Sequence, residues 1–473
     1  MKDRNKSINQ VIKNHHNARF NTFNPTNHDM QTASKKVING WAMYDWANSV
    51  YNLVITTTFF PIYFAAITKK AYGEETVPFL GRTFKNSSLY DYALAAAYAI
   101  VVLMLPILSS IADTRGNKKR FMQFFVYLGG LACIGLFFFK GDTPNIGWGI
   151  ACFMLATIGF LGSLVFYNSY LPEIAAPEDR NRISAKGFSL GYIGSVLLQI
   201  IGFGLVVYFS GKGDDWSGPL YTFLLVGIWW IGWSQIPFAV LPKGKPAVEK
   251  HTGNFLTEGF IELGKVWRQV KAMPVLKQFL MAFFFYSMGV QTVMLAATLF
   301  GKAVLNLPDT NLIITVVLIQ LVAIIGALSM ARLSSRFGNI QVLIGAVIFW
   351  IIICVCAFEI ANYAEKGINV EYYFYGLAIA VGLVMGGIQA ISRSTYSKLM
   401  PETKDTTSFF SFYEVTEKSA IVIGIFSFGM IDERLGMKNS VLSLIVFFSI
   451  GLYGLILTLY KQKRQTTHAT IQH

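Results

Sequence analysis

Twelve stretches of this chain are too long and too apolar to be ordinary core segments of a water-soluble protein. They run over residues 41–66, 90–112, 121–139, 147–170, 188–210 and 220–241, then 277–300, 311–332, 340–362, 372–396, 408–431 and 440–460. Each is near the ~20 residues that a helix needs to cross ~30 Å of hydrocarbon. Lipid offers the backbone no hydrogen-bond partners, so spans of this length are expected as α-helices. Composition agrees: 53 % of the 473 residues are hydrophobic and only 14 % are charged, against about 25 % charged in a soluble domain. That excludes a soluble enzyme, a disordered chain and a disulfide scaffold. The expected fold class is an all-α, multi-pass membrane protein.

The formal net charge is +14. In a soluble protein such a balance would suggest a nucleic-acid partner. Here the basic residues sit in short loops between apolar runs, the pattern that sets membrane topology, so no nucleic-acid partner is expected. Of the 40 Lys and Arg residues, 29 fall on the side of the two termini and 10 on the other, and Lys418 lies within a span. The bias puts both termini in the cytoplasm. No apolar segment follows Met1 closely, so no cleavable signal peptide is expected. Residues 1–39 read as a polar, disordered cytoplasmic tail, 40–241 and 277–460 as two six-helix bundles, and 461–473 as a second tail. The linker 242–276 contains an amphipathic stretch (Phe255, Phe260, Ile261, Val266, Trp267, Val270) expected to lie on the membrane surface.

The two sets of six spans repeat. The loop after span two contains Asp113, Arg115, Gly116 and Asn117; the loop after span eight contains Arg336, Gly338 and Asn339. The loop after span four carries Leu171-Pro172-Glu173, and the loop after span ten carries Met400-Pro401-Glu402. Two unrelated loop motifs recurring at nearly one offset imply a duplicated unit. Six is even, so the halves share one orientation, as in parallel repeats about the membrane normal.

These loops resemble those of the major facilitator superfamily. The run Ala112-Asp113 through Gly116-Asn117-Lys118-Lys119-Arg120 is similar to its signature between helices two and three, with Ser109 where the pattern has Gly and Thr114 where it has Arg. Three further runs, Trp41 to Ser49, Gly187 to Ser195 and Gly386 to Ser394, resemble one branch of it. That branch holds the fungal vacuolar amino-acid effluxers linked to autophagy and their bacterial relatives. The resemblance spans residues 41–460. It implies a twelve-helix transporter of a small organic solute, with amino acids as the best-attested class and peptides, sugars or drug-like solutes as alternatives. It also implies that spans three, six, nine and twelve face lipid. Asp113 and Arg115 would then lie beside the inner start of span eleven as part of a gate, with Gly116, Arg336 and Gly338 shaping the two repeated loops.

Charges inside the membrane mark the candidate site, because an ionised side chain at the bilayer centre costs about 2.5–3.5 kcal/mol even on a lenient scale. In span one, Asp45, Asn48, Ser49, Asn52 and Thr56 fall within an arc of about 100° on an ideal helix. In span eleven, Glu414, Glu417 and Lys418 share one face, and Lys418 lies ~15 Å deep at 1.5 Å per residue. Glu414 and Lys418 have the spacing of a helical ion pair. They read either as a self-neutralising pair or as a substrate or proton site. Gln389 and Arg393 in span ten, and Tyr192 and Gln199 in span five, extend the polar set, with Arg393 read either as a site residue or as a snorkelling end-of-helix charge. Tyr44, Tyr51 and Tyr413 would bound an apolar part of the same cavity.

No metal-ligand spacing, P-loop, nucleophile elbow or other catalytic motif occurs, so neither cofactor nor enzymatic activity is expected. The four cysteines lie inside apolar segments and the six histidines outside them. Without an ATP site the driving force would be a gradient, with H⁺ or Na⁺ as the coupling ion, or the substrate itself. A bacterial inner membrane is the expected location, with a vacuolar membrane as the alternative. A transport-dead receptor or scaffold is the competing reading, and the buried charges argue against it.

Overall fold

The computed structural model describes residues 31–73, 75–141, 144–243 and 255–471. The polar segment 1–30 lies outside the described residues. Among the described residues twelve long helices follow one another: α1 (Lys35–Tyr72), α2 (Asn86–Arg115), α3 (Lys118–Leu136), α4 (Ile146–Asn168), α5 (Arg180–Ser210) and α6 (Ser217–Val240) in the first half. In the second half come α7 (Pro274–Ala303), α8 (Asp309–Phe337), α9 (Asn339–Glu365), α10 (Glu371–Leu399), α11 (Thr406–Leu435) and α12 (Met437–Ile471). Nine of these are long and apolar enough to span a membrane by composition, among the described residues. The amphipathic linker helix bends by 103° into α7, and this pair raises the number to ten. The other two carry the charge: α3 opens on Lys118-Lys119-Arg120, and α11 holds Glu414, Glu417 and Lys418.

Helix pairing shows the duplication directly. In the first half α1 packs on α5 and α6, α2 on α4, α3 on α4 and α6, and α5 on α6. Adding six to each label gives the pairings of the second half. The halves meet through α5 on α8 and α2 on α11, which exchange under the same rule. Small residues allow two of the close approaches. A Cβ at Gly191 would lie 2.4 Å from Ser49 Oγ on α1, and one at Gly386 would lie 2.4 Å from the Ala323 carbonyl on α8.

Both ends of the helical chain lie on one face, here the terminal face. On the opposite face a two-stranded antiparallel hairpin, β1 (Thr76–Phe79) and β2 (Arg82–Lys85), joins α1 to α2. The first helix begins at Lys35, inside the polar stretch 1–39. Just before it, Ala33 N–H donates to the Ile174 carbonyl at 2.8 Å and Thr32 Oγ1 donates to Asp179 at 2.6 Å.

The amphipathic linker forms a helix, Phe255–Ala272. It packs on α2 of one half and on α7 and α11 of the other. Val266 and Val270 are buried, Ile261 is exposed, and the Trp267 ring stacks on Phe412 of α11 with centroids 5.7 Å apart. The side chains of Phe255 and Phe260 lie outside the described residues.

Candidate functional site

A cavity of about 130 Å³ lies between the halves. Its wall is built from α1, α2, α4 and α5 on one side and α7, α10 and α11 on the other. Among the described residues none of α3, α6, α9 or α12 lines it.

Nine of the ten expected polar residues meet there: Asp45, Asn48, Asn52, Tyr192, Gln389, Arg393, Glu414, Glu417 and Lys418. Gln199 does not. It is fully buried, donates to Thr58 Oγ1 at 2.9 Å and accepts from Gln320 of α8 at 2.9 Å, an amide relay between the halves away from the cavity. Tyr44 and Tyr51 are also placed elsewhere. Both point into the first bundle, where Tyr44 packs on Tyr167 and the Tyr51 hydroxyl meets Thr157 at 2.7 Å. Of the three expected tyrosines only Tyr413 reaches the cavity, joined by Tyr98 and Phe188.

Local winding explains part of this. Residues Tyr51–Phe59 form a π-helix, so an ideal 100° step no longer describes α1 beyond Val50. Pro61 follows and supplies no backbone N–H. The Thr57 and Thr58 hydroxyls both donate to the Leu53 carbonyl at 2.9 Å. Thr56, on the extrapolated stripe, is buried and absent from the cavity wall.

The ionisable groups form two clusters. In the first, Arg393 of α10 crosses to the other half and donates to Asp45 of α1 at 3.2 Å. The same guanidinium donates to Ser184 Oγ and the Ser184 carbonyl of α5, both at 2.9 Å, and to Asn168 Oδ1 of α4 at 3.1 Å. Its carbon sits 4.9 Å from the Trp41 ring centroid and 4.3 Å from that of Phe188. Arg393 is 2 % exposed, which removes the snorkelling alternative. Asp45 also accepts from Tyr167 Oη at 2.8 Å. This cluster needs a rigid, planar, multiply donating cation, which is what arginine is. It also needs a glycine. A Cβ at Gly187 would lie 2.2 Å from Asp45 Oδ2 and 3.0 Å from Arg393 Nη2.

The second cluster is on α11. Lys418 Nζ lies 3.1 Å from Glu414 Oε2, one helical turn away, and also pairs with the adjacent Glu417. Glu417 accepts from Gln291 of α7 at 3.3 Å. With all five groups ionised, the cavity holds three negative and two positive side chains.

Below the cavity the terminal face is closed. Asp113 at the end of α2 accepts the backbone N–H groups of Thr407 and Ser408 at 3.2 and 2.7 Å. These are the second and third residues of α11, whose own N-cap, Asp405, makes no side-chain cap bond. Glu173, in the short helix Leu171–Ile174, accepts from Thr406 Oγ1 and pairs with Lys118. Lys118 is buried over the Tyr170 ring, so it is the internal cation of this loop, while Arg115 and Arg336 are exposed. Gly116 (φ 62°) and Gly338 (φ 93°) terminate α2 and α8 at equivalent points of the repeat, where a side chain would be strained. On the other flank Asn181 and Asn339 exchange hydrogen bonds at 2.7 and 2.9 Å. The charged latch in one half thus has a neutral counterpart in the other.

Asn168 and Gln291 also line the cavity. Lone Asn and Gln residues in apolar helices have many packing roles, and no periodic stripe marked these two.

The comparisons agree with this architecture. Residues 33–469 match the family model described as "Vacuole effluxer Atg22 like". An uncharacterized MFS-type transporter, YxiO of Bacillus subtilis, is 30 % identical over 420 residues, covering 88 % of this chain and 92 % of the relative. Autophagy-related protein 22 of Kluyveromyces lactis is 27 % identical over 448 residues, covering 85 % of this chain and 88 % of the relative. Among solved structures, a bacterial homologue of the iron transporter ferroportin in an outward-facing state aligns with TM-score 0.65 at 14 % identity, covering 90 % of this chain and 98 % of the other. The major facilitator transporter FucP, in its outward conformation, aligns with TM-score 0.62 at 12 % identity, covering 89 % and 98 %. At these identities the structural likeness speaks for the fold. Duplicated six-helix halves, a charged cavity between them and a family match over nearly the whole chain lead to one conclusion: this protein belongs to the Atg22-like family of major facilitator superfamily transporters, and it is a membrane transporter rather than an enzyme.

Proposed function

We propose that this protein is a secondary carrier that moves a zwitterionic small solute, an amino acid in the first instance, by rocking of its two halves about the central cavity. The observation that carries this reading is the set of five ionisable side chains, Asp45, Arg393, Glu414, Glu417 and Lys418, that line one cavity. Charges of both signs in a membrane interior are costly, and a purely structural seam has no need of them. A zwitterion carries both complementary charges. Its carboxylate would take Lys418 or Arg393, and its ammonium would take Asp45, Glu414 or Glu417. Tyr98, Phe188, Tyr192 and Tyr413 offer apolar surface for the remaining side chain.

The excess of Lys and Arg on the terminal face supports a cytoplasmic location for that face and both termini. The bonds from Asp113, Glu173 and Asn181 to the opposite half then correspond to a carrier closed toward the cytoplasm. The third carboxylate leaves one acid beyond those the two cations balance, and it supports coupling to H⁺ or Na⁺. The membrane is a bacterial inner membrane on this reading, with a vacuolar membrane as the alternative.

Uptake of radiolabelled amino acids into sealed proteoliposomes tests the reading, with and without imposed pH and sodium gradients. A thermal-shift screen with amino acids, dipeptides and sugars identifies the solute. A ligand at 100 times its dissociation constant adds about 2.7 kcal/mol of apparent stability. No stabilisation and no uptake with any zwitterion would sink the assignment.

A further inference from the structure

Two ion clusters on different helices are joined by one neutral side chain. Asn168, near the end of α4, is 5 % exposed and lines the cavity. Its Oδ1 accepts from Arg393 Nη1 at 3.1 Å, and its Nδ2 donates to Glu414 Oε1 at 2.6 Å. The orientation has no alternative. A guanidinium only donates and an ionised carboxylate only accepts, so the amide oxygen must face Arg393 and the amide nitrogen Glu414. The amide dipole thus lies between a cation and an anion, in the favourable direction at both ends. The result is a continuous path, Asp45–Arg393–Asn168–Glu414–Lys418–Glu417, running from α1 through α10 and α4 to α11.

We propose that Asn168 is the positioning residue that couples the charge state of the α11 cluster to the Asp45–Arg393 clasp between the halves. The proposal rests on the reading of this cavity as the transport site. Bonds to ionised groups are roughly twice as strong as neutral ones. When a proton or a solute ammonium neutralises Glu414, the Nδ2 bond weakens. The amide then holds Arg393 Nη1 less firmly, and the clasp that crosses the interface loses one of its supports. Occupancy of the site is in this way reported to the contact that must break before the terminal face opens. No other residue among those described bonds both clusters.

The test is a double-mutant cycle read by distance rather than by transport. Spin labels on Arg120→Cys of the first half and Lys404→Cys of the second, in a Cys356→Ala background, report opening of the terminal face. Both labelled positions and Cys356 are exposed. Glu414→Gln removes the charge that a proton or an ammonium would neutralise. In the Asn168 protein it is expected to raise the open-to-closed ratio about tenfold, within the 5–150-fold range of typical couplings. In an Asn168→Leu background the same change is expected to shift the ratio less than about twofold, the limit for independent sites. Asn168→Ser provides the same cycle if the leucine variant does not fold. The proposal is overturned if Glu414→Gln leaves the Asn168 protein unmoved, or if it moves both backgrounds equally. The readout needs no solute, so a failed uptake assay and a failed coupling are separate results.

Discussion

Asp113 of α2 caps a helix that belongs to the other half of the molecule, its Oδ2 accepting the Ser408 backbone N–H at 2.7 Å. The orphan amides and positive end of a helix favour an anion there, and a cap of this kind contributes about 1 kcal/mol. The contact exists only while the terminal face is closed, so its energy is a bias on the conformational equilibrium. Asp113→Asn removes the charge and keeps one acceptor. It is expected to raise the open fraction about fivefold, equivalent to ~1 kcal/mol, measured by cross-linking across the terminal face. An unchanged open fraction would mean that Asp113 only ends its own helix.

Lys418 carries the sharpest test of the site. Lys418→Ala leaves Glu414 and Glu417 facing each other without their cation, and breaking a buried pair from one side costs about 3–5 kcal/mol. Uptake is expected to be abolished and thermal stability lowered. Glu414→Gln and Glu417→Gln combined with Lys418→Met removes all three charges of this cluster and is expected to restore much of the stability without restoring uptake. Normal transport by the alanine variant would refute the assignment.

Gly187 tests the first cluster without removing any of its charges. Gly187→Ala places a methyl group 2.2 Å from Asp45 Oδ2, so the carboxylate must move away from Arg393. Uptake is expected to fall at least tenfold while the protein still inserts and folds. Gly204→Ala, on the same helix with nothing within 4 Å of its Cβ, is the control and should behave as the parent. Equal activity in both variants would show that the Asp45–Arg393 contact is dispensable.

Outside the membrane, Asp179 ties down the segment before α1. Hydrogen bonds from Thr32 and Arg182 hold its carboxyl below the usual range. A depressed folded-state value means that this tie is present above the ordinary aspartate pKa of about 3.9. It is lost as pH falls through the lowered value. Asp179→Asn is expected to speed exchange of the Ala33 and Ala176 amides at neutral pH, with little change in uptake. Exchange that stays slow would place the anchoring in the backbone bonds alone.

What sequence reasoning reached here follows from the solvent. Hydrocarbon forbids unpaired backbone groups and penalises charge, so helix positions, the duplication and the rare intramembrane charges at Asp45, Arg393, Glu414, Glu417 and Lys418 are all visible as departures from an apolar background. Periodicity then groups residues on one helix, as it grouped Glu414, Glu417 and Lys418. It cannot say which partner helix a face meets. Gln199 sits on the polar side of α5 yet bonds to Gln320 and Thr58 outside the cavity, because contact is decided by where α8 and α1 pass. Thr56 was lost to the π-helical winding of Tyr51–Phe59, a local geometry that an ideal repeat does not contain. Asn168 carries no charge and lies on no stripe. Its importance arises only when α4, α10 and α11 converge and place its two amide atoms between Arg393 and Glu414. Chemical types and helix phases are properties of the chain, whereas hydrogen bonds of fixed length between distant residues are properties of packed helices, and those only the tertiary structure decided.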